Sequence, residues 1–501
     1  MAVVSRLLAA RALERPASAA FVVGADGRSL TWSELACQAE NWRAASRALP
    51  QRARVGLVAA DPLAFTAAYL GALAAGLTAV PLDPRLTASE LSNSVARLRV
   101  DVLATDTPDL FDADPEMWSL TDSGPITVRS ATVSSRPSDG AARRPAVLLA
   151  SSGTTGAPKG IPLSEWQLMH AARRVARHHG FGPDQRGYTP LPLFHVNAQV
   201  MGLLANVVSG ASLVVDRRFD VNAYWERVEQ WHPTWLNTVP AILTSLASAP
   251  APSEGVVRGI RFARSASAPL PEHTLRAFTE HTGIGVLETY GMTEAAGQIT
   301  ANPVEAAARR IGSVGLPVGI GLTVLDQDGR PAAPGQEGMV ALRGRQVVSH
   351  YLDLSADVPE RARLARDASG WLLTGDLGTR DEAGFVRLAG RADDVINRGG
   401  EKIHPLEIEN VLLGHPAVRS AAVVGAPHDR LGQVAVAFVT AHPGAHADGL
   451  ARDLRELCER ELTRYKRPTT IEVTGQLPTG PTGKVLRRAL RVELATAGGA
   501  R

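Results

Sequence analysis

Residues 151–160, SSGTTGAPKG, combine hydroxyl side chains, glycines and one lysine directly after the apolar run 146–150. A strand that ends in a small, hydroxyl-rich loop presents backbone N–H groups to an anion. The loop is not a Walker A motif, because no GK[ST] follows at the required spacing. Its glycines allow close backbone approach, and its hydroxyls and lysine charge favour a polyphosphate over the alternative of a flexible surface loop. The predicted phosphate loop comprises Ser152, Gly153, Thr154, Thr155, Gly156 and Lys159.

Lysine is rare in this chain, in which lysine and arginine together number 53 but only four residues are lysines. Arginine therefore supplies the ordinary surface charge. Each lysine marks a candidate position for a compact ammonium charge that a planar guanidinium does not replace. The alternative is that the positions of the four lysines have no functional meaning. They are Lys159, Lys402, Lys466 and Lys484.

Strand and helix patterns that alternate through residues 30–150 and 160–300 predict βαβ units and mainly parallel sheets. Residues 107–143 are rich in Pro, Ser, Asp and Gly, which indicates a surface excursion. Glycine turns between short strands at about 310–390 predict a small β-rich subdomain. We expect an α/β fold with a large N-terminal domain (1–390) of βαβ-type sheets that includes the β-rich subdomain, a linker (391–394) and a small α+β C-terminal domain (395–501).

The composition of the chain indicates which binding partners it lacks and in which cellular compartment we expect it. The 501 residues suffice for two or more domains, and a net charge of +3 without a basic run gives no sign of nucleic-acid binding. Two cysteines, Cys37 and Cys458, form no disulfide framework or metal motif. The uncharged stretch 62–82 is interpreted as a buried helix and strand, not a membrane span. We expect a cytoplasmic protein without a signal peptide or membrane anchor, and a homodimer is left open.

Several stretches resemble, in order, the motifs of the adenylate-forming superfamily of acyl-CoA synthetases, peptide-synthetase adenylation domains and luciferases. After the phosphate loop these are LPLFHVNA (191–198), SASAPL (265–270), TYGMTEA (289–295), TGDLG (374–378), GRADDVINRGGEKI (390–403) and PTGKVLRR (481–488). The resemblance implies that a carboxylate attacks the α-phosphate of ATP and releases pyrophosphate. A thiol, usually that of CoA, then displaces AMP. Mg²⁺ accompanies ATP, and CoA is the co-substrate.

The resemblance also implies roles for individual residues. Lys484 bridges the carboxylate and the α-phosphate, Thr293 donates to that phosphate, and Glu294 offers Mg²⁺ a hard oxygen ligand. Asp393 is the hinge around which the small domain rotates. The adenine and ribose contacts implied are Ser267, Ala268, Pro269, Tyr290, Gly291, Asp376 and Arg391, and the CoA segment implied is Gly399, Gly400 and Lys402.

The residue at position 195 bears on the class of acid. Relatives that activate amino acids carry an aspartate there, whereas His195 resembles the acyl-CoA synthetase pattern, in which a histidine lines the path to the carboxylate; the alternative is a satisfied core histidine. The predicted acyl pocket is mostly small and apolar, which favours a bulky, largely apolar acid. It comprises Asn197, Ala198, Met201, Thr238, Ala241, Ala266, Ala295, Ala296, Gly297 and Ile299.

Three alternatives stay open at this point. A dicarboxylate substrate would require a buried arginine, for which Arg264 is the candidate. A ligase could load the phosphopantetheine of a carrier protein, although the insertion that marks fatty acyl-AMP ligases is not seen after 390–400. A relative could also perform one half-reaction alone. The leading prediction is an ATP-dependent, AMP-forming acyl-CoA ligase.

Overall fold

The computed structural model describes residues 2–50, 53–107, 116–121, 124–129, 145–151, 159–354, 361–362, 364–442, 444, 449–480 and 485–498. Its helices are α1 (Val3–Glu14), α2 (Trp32–Ala45), α3 (Pro62–Ala75), α4 (Ala88–Leu98), α5 (Glu165–His179), α6 (Ala205–Ser209), α7 (Tyr224–Trp231), α8 (Pro240–Ala247), α9 (Glu254–Val257), α10 (Glu272–Thr282), α11 (Pro405–Leu413), α12 (Leu450–Glu461) and α13 (Arg487–Gly498).

The first eleven strands lie before α7 in the chain. They are β1 (Ala19–Val23), β2 (Ser29–Thr31), β3 (Arg54–Val58), β4 (Thr78–Pro81), β5 (Val102–Thr105), β6 (Glu116–Thr121), β7 (Gly124–Arg129), β8 (Val147–Ser151), β9 (Lys159–Leu163), β10 (Arg186–Thr189) and β11 (Ser212–Val215).

The remaining strands follow α7. They are β12 (Trp235–Thr238), β13 (Phe262–Ser265), β14 (Val286–Met292), β15 (Gly297–Ala301), β16 (Leu316–Pro317), β17 (Gly321–Leu325), β18 (Gly338–Arg343), β19 (Tyr351–Asp353), β20 (Arg361–Ala362), β21 (Leu372–Arg380), β22 (Val386–Arg391), β23 (Ile396–Arg398), β24 (Glu401–Ile403), β25 (Val418–His428), β26 (Gly432–Ala441) and β27 (Thr470–Val473).

Two nine-stranded sheets with parallel centres form the large part of the molecule. Their orders are β16-β15-β14-β13-β12-β10-β11-β1-β2 and β20-β19-β9-β8-β4-β3-β5-β6-β7. Helix α3 is buried along its length beside them, and its first turn is capped by Asp61, whose carboxylate accepts from the N–H groups of Leu63 and Ala64. Ligands of such sheets bind beyond the carboxyl ends of the parallel strands. The segments that follow β8, β10, β12, β13 and β14 are those that carry the predicted motifs.

Two smaller sheets complete the fold. The strands of the antiparallel sheet β17-β18-β21-β22 lie between residues 321 and 391, although β19 and β20 from the same stretch join the second large sheet. The strands of the sheet β24-β23-β26-β25, with β27 beside β26, lie between residues 396 and 473. This last sheet packs with α11 and α12 around its own core, which includes Ile408, Val439 and Leu454. The α/β class, with a large N-terminal and a small C-terminal part, is confirmed by the fold. We propose to retain 391–394 as the boundary between the two parts.

The structure corrects one prediction about the chain's organisation. The composition of residues 107–143 predicts a surface excursion, but 116–121 form β6 and 124–129 form β7, the edge strand of the second large sheet. Met117 and Trp118 are buried, and the Trp118 ring packs edge-on against Trp42 with 5.6 Å between ring centroids. The apolar area gained by burying these two side chains outweighs the turn-forming composition around them. Within the described residues, no helix is both long and apolar enough to cross a bilayer.

Candidate active site

The phosphate end of the predicted site is assembled by β9 and β19. Lys159 opens β9, and its Nζ lies 5.3 Å from the ring centroid of Tyr351 on the antiparallel neighbour β19. The Tyr351 hydroxyl donates a hydrogen bond to Glu294 Oε1 at 2.8 Å. One tyrosine therefore joins the predicted phosphate-loop lysine to the predicted Mg²⁺ ligand. The other phosphate-loop residues, Ser152, Gly153, Thr154, Thr155 and Gly156, lie outside the described residues, as does Lys484.

Glu294 is held in a short 3₁₀ turn, 293–295, directly after β14. Its backbone carbonyl accepts from the N–H of Val348 at 2.8 Å, and Ala296, two residues further on, has φ +55°. A non-glycine residue in the left-handed region is strained, and such strain persists where the surroundings fix the backbone. Within the described ranges, no three His, Cys, Asp or Glu side chains cluster as a metal cage. A single carboxylate suits Mg²⁺, which is commonly bound by one or two carboxylates together with phosphate oxygens and water.

A second cluster lies where β14 meets the antiparallel sheet. Asp376 of β21 and Arg391 of β22 are cross-strand partners, and Arg391 Nη1 donates to Asp376 Oδ1 at 3.0 Å. The other carboxylate oxygen, Oδ2, accepts from the hydroxyl of Tyr290 at 2.5 Å. Arg391 Nη1 also donates to the carbonyl of Thr374 at 2.8 Å, which fixes the guanidinium. Burial and the Asp376 charge raise the pKa of Tyr290 well above its usual value, so its hydroxyl stays a donor.

This arrangement leaves Asp376 able to bind a diol. A carboxylate has about four lone-pair positions, and each Asp376 oxygen uses one of them within the protein. The side chain is oriented by two donors and is only partly covered, so further lone pairs are available to ligand hydroxyls. The geometry therefore suits the ribose contact that the sequence implies for Asp376, Tyr290 and Arg391.

The predicted adenine border is an exposed turn after β13. Ser267, Ala268 and Pro269 are all exposed, and Ser267 has φ +74°. The amide of Asn197 donates to Ser267 Oγ at 3.4 Å, which links this border to the segment that carries His195. Gly291 is likewise exposed beside Tyr290. The structure thus brings the SASAPL, LPLFHVNA and TYGMTEA segments together, although they are far apart in sequence.

His195 is a neutral histidine at this junction. Burial lowers its pKa to about 4; the Asp83 carboxylate opposes the shift, and the Arg85 guanidinium adds to it. Among the described residues no group hydrogen-bonds to its Nε2, which is buried. An imidazole with an unmatched nitrogen can donate to or accept from a ligand, so the prediction that His195 lines the path to the carboxylate stands as a prediction that this geometry permits.

The predicted acyl-pocket residues divide by burial. Asn197 is half-buried and Ala241 is exposed on α8, whereas the others lie in the interior. Thr238 is oriented by a hydrogen bond from its hydroxyl to the carbonyl of Arg264 at 2.9 Å. The interior members are Ala198, Met201, Thr238, Ala266, Ala295, Ala296, Gly297 and Ile299. Their role in substrate binding stays a prediction.

The segment predicted to carry the hinge and the CoA site forms a short 3₁₀ turn followed by a β-hairpin. Asp393 is exposed in a 3₁₀ turn, 392–394. Gly399 and Gly400 form the two-residue turn between β23 and β24, with φ +60° and +95°. Such a turn has left-handed residues at both central positions, so it favours glycine there whether or not CoA passes the turn. Lys402 is exposed on β24. The CoA and hinge roles therefore remain predictions.

Sequence reasoning missed several side chains that organise these clusters. Tyr351 carries no motif and is recognised only because it contacts Lys159 and Glu294. Asp83 lies in the short PLDP stretch, which a search for charged residues at strand ends could have found. Lys466 forms an ion pair with Glu407 at 2.6 Å, so one of the four lysines has a structural role.

The chain is similar in sequence to a known enzyme family. A family model described as AMP-binding enzyme matches residues 8–352, and the corresponding C-terminal domain model matches residues 407–484. The chain belongs to the AMP-binding enzyme family. The prediction of an adenylate-forming enzyme is thereby confirmed, and the CoA ligases among its relatives confirm the prediction of an acyl-CoA synthetase.

Relatives within this family are CoA ligases. The chain is 44% identical to the sulfoacetate–CoA ligase of Cupriavidus necator over 69% of the chain and 66% of that ligase. It is 32% identical to the oxalate–CoA ligase of Arabidopsis thaliana over 87% of each. The o-succinylbenzoate CoA synthetase of Bacillus subtilis, solved with its acyl-adenylate intermediate, superposes with a TM-score of 0.79 at 26% identity and covers 97% of both chains.

Proposed function

We propose that this AMP-binding enzyme is a complete acyl-CoA ligase that uses Mg²⁺ and ATP to form an acyl-adenylate and then transfers the acyl group to CoA. The observation that carries the proposal is the pair of linked contacts described above. Tyr290 and Arg391 both donate hydrogen bonds to Asp376, which we assign to the ribose, while Tyr351 joins Lys159 to Glu294 at the end that we assign to the phosphates. Tyr290 and Glu294 are only four positions apart on one segment, which fits the two ends of a nucleotide.

In the first half-reaction the chain's residues position two anions against each other. A substrate carboxylate oxygen bonds to the α-phosphorus, and the bond to the pyrophosphate oxygen breaks. Charge that spreads over the phosphoryl oxygens needs fixed positive groups, for which we assign Lys159, Lys484 and a Mg²⁺ held by Glu294. Asp376 would fix the ribose, so that the α-phosphorus is presented to the acid in one orientation.

In the second half-reaction the thiol sulfur of CoA bonds to the acyl carbon, and AMP leaves with the carboxylate oxygen. We assign the approach of the thiol to the Gly399–Gly400 turn and the exchange of the two arrangements to rotation about Asp393. One site then serves both reactions, as in enzymes whose domains close differently for successive steps.

The relatives do not agree on the chemical class of the acid. Sulfoacetate and oxalate each carry two anionic groups, whereas a fatty-acid–CoA ligase of Mycobacterium tuberculosis, 30% identical over 87% of the chain, acts on a long apolar acid. The small apolar residues predicted for the acyl pocket support an apolar body in the substrate. The bulky, largely apolar acid thus stays a prediction.

Mass spectrometry tests the proposal directly. The protein is mixed with Mg-ATP, CoA and a panel of aromatic, fatty, dicarboxylic and polycyclic acids, while a parallel set receives synthetic acyl-adenylates in place of ATP and acid. AMP, acyl-adenylate and acyl-CoA are quantified. Acyl-CoA from ATP and one acid is expected. Acyl-CoA from supplied adenylates alone would replace the proposal with an enzyme of the second step.

Two pairs of variants separate the half-reactions. Lys484→Ala should abolish adenylate formation and spare thioester formation, with Lys466→Ala as the control for loss of a lysine elsewhere. Equal loss of both steps would refute the role of Lys484. Gly400→Leu should block CoA use, whereas Gly400→Ala carries the same backbone strain at φ +95° without the bulk. Equal CoA use by the Leu and Ala variants would remove the turn from the thiol path.

A further inference from the structure

Arg264 is a buried charge in the centre of the first large sheet. It lies on β13, in register between Asn237 of β12 and Leu287 of β14, and only 3% of its surface is exposed. Arginine is almost never buried to this extent without a carboxylate partner. Arg264 makes no ion pair with any carboxylate of the described residues. Within that part of the chain, the cation is uncompensated.

The hydrogen bonds of this guanidinium go to neutral groups. Its Nη1 donates to the amide oxygens of Asn197 at 2.5 Å and Asn237 at 3.2 Å. Its Nε is buried and has no hydrogen-bond partner among the described residues. Burial lowers the pKa of Arg264 to about 9, which is the expected response of a desolvated cation.

Both asparagines are turned so that their oxygens face the arginine. The Asn237 amide nitrogen donates to Thr189 Oγ1 at 3.2 Å, and that of Asn197 donates to Ser267 Oγ at 3.4 Å. These bonds fix the amide orientation and hold the guanidinium in place. Because Asn197 is half-buried and follows His195 by two positions, the held charge lies at the junction of the predicted acyl and adenine segments.

An unpaired buried charge weakens the fold unless something compensates for it. Packing a methionine at such a position often stabilises a protein, since a buried cation loses its hydration. A fixed guanidinium with N–H groups to spare is, however, the side chain best suited to bind a carboxylate or sulfonate. A ligand that binds beside the predicted acyl residues could therefore supply the missing counter-ion.

We infer that the acid activated by this chain carries a second anionic group, a carboxylate or a sulfonate, which pairs with Arg264 while the first carboxylate faces the adenylation site. The inference rests on the proposed ligase function. The predicted small apolar residues contact the carbon skeleton between the two anionic groups. Arg264 is then a specificity-determining residue, and it has no part in the transfer of the adenylyl or acyl group.

The test compares acids that differ only in the second anionic group. Malonate, succinate, glutarate, sulfoacetate and phthalate are each paired with the matching acid in which a methyl group or hydrogen replaces that group. Formation of AMP and acyl-CoA gives kcat/KM for each acid. The wild-type protein should prefer the dianionic member of at least one pair by about 10²-fold or more, the usual effect of a desolvated charge pair. Preference for the neutral-ended acid in every pair would overturn the inference.

Arg264→Met separates recognition from structure. The variant should lose about 10²-fold in kcat/KM for the preferred dianion and lose little for its matched monoanion. Its thermal midpoint should equal or exceed that of the wild type, because the uncompensated charge is gone. Arg258→Met, at an exposed arginine near β13, is the control. Equal losses for both acids together with a lower midpoint would make Arg264 a structural residue and overturn the inference.

These outcomes differ from failure of the ligase proposal. If no acid gives acyl-CoA from ATP, synthetic adenylates of the same paired acids are supplied with CoA. A preference for the dianionic adenylate would support the Arg264 site although the ligase proposal had failed for the first step. No preference in either assay would overturn the inference, even if Arg264→Met could not be purified, since both assays use the wild-type protein.

Discussion

His195 allows a quantitative prediction about pH and stability. Its pKa is about 4 in the folded protein, against 6.5 for a histidine exposed to water, and burial is the largest cause. Because the folded-state pKa is the lower one, the unfolded chain binds the proton more tightly. The contribution of His195 to the free energy of unfolding is therefore fully present above pH 6.5 and is lost as the pH falls toward 4. The charged groups that act on the imidazole are those of Asp83 and Arg85.

The size of the effect follows from the two pKa values. At about pH 8 both states leave His195 neutral, so its contribution to the pH dependence is close to zero. At about pH 5 the unfolded state is mostly protonated and the folded state is not, which costs about 2 kcal/mol of unfolding free energy. The perturbation is His195→Gln, which removes the titrating group. The variant should therefore lose about 2 kcal/mol less than the wild type between about pH 8 and pH 5.

The assay is urea unfolding followed by tryptophan fluorescence at pH 5, 6, 7 and 8. The quantity compared is the difference in unfolding free energy between variant and wild type at each pH, because other buried histidines contribute equally to both proteins. His428→Gln, at an exposed histidine, controls for loss of an imidazole. If the difference for His195→Gln were the same at pH 8 and pH 5, the buried, neutral state assigned to His195 would be refuted.

Three further predictions follow from single contacts. Tyr290→Phe removes the donor to Asp376 and should raise the KM for ATP by about 3- to 10-fold, since one hydrogen bond contributes about 0.5–1.5 kcal/mol; steady-state kinetics measure it. Glu294→Gln should raise the Mg²⁺ concentration for half-maximal adenylation at least about tenfold, because the charged metal ligand is lost; a Mg²⁺ titration measures it. Arg487→Met leaves the buried Glu409 carboxylate without its ion-pair partner and should cost about 3–5 kcal/mol of unfolding free energy; urea unfolding measures it.

Each of these has an outcome that would count against it. An unchanged KM for ATP in Tyr290→Phe would mean that Asp376 is oriented without the hydroxyl. A Mg²⁺ dependence like that of wild type in Glu294→Gln would place the metal ligand elsewhere. The double variant Arg487→Met with Glu409→Gln should recover part of the lost stability, and no recovery would show that the pair is not the cause.

The local sequence predicts helices and strands well where contacts between neighbouring residues define them. The buried helix and strand expected in the uncharged stretch 62–82 are α3 and β4, because Asp61 caps the first turn of α3 and uncharged side chains cover all of its faces. The strands at 116–129 were missed, since Pro, Gly and Asp around them indicate turns. Val102 of β5 pairs with Glu116 of β6, and Trp118 of β6 packs against Trp42, which lies far away in the sequence. Pairing of this kind is not encoded in a short window.

The order of the motifs likewise predicts candidate site residues, but not how these residues contact one another. The resemblance implied Lys159, Glu294, Asp376 and Arg391, and the structure adds the hydrogen bonds that orient three of them. Tyr351, which links Lys159 to Glu294, has no sequence signal, because a tyrosine in a short strand is common in any fold. Its role depends on the antiparallel pairing of β19 with β9.

The sequence by itself determined the family, the order of the motifs and the alternation of helices and strands, because these depend on residue identity and on periodicity over a few turns. The tertiary structure decided which charges are compensated. The sequence alone offers Arg264 only as a candidate for a buried arginine, and its position between β12 and β14 shows that it is buried with no carboxylate partner in the described part of the chain. The electrostatic free energy of a charge depends on the solvent and the groups around it, and both are set by residues distant in the chain.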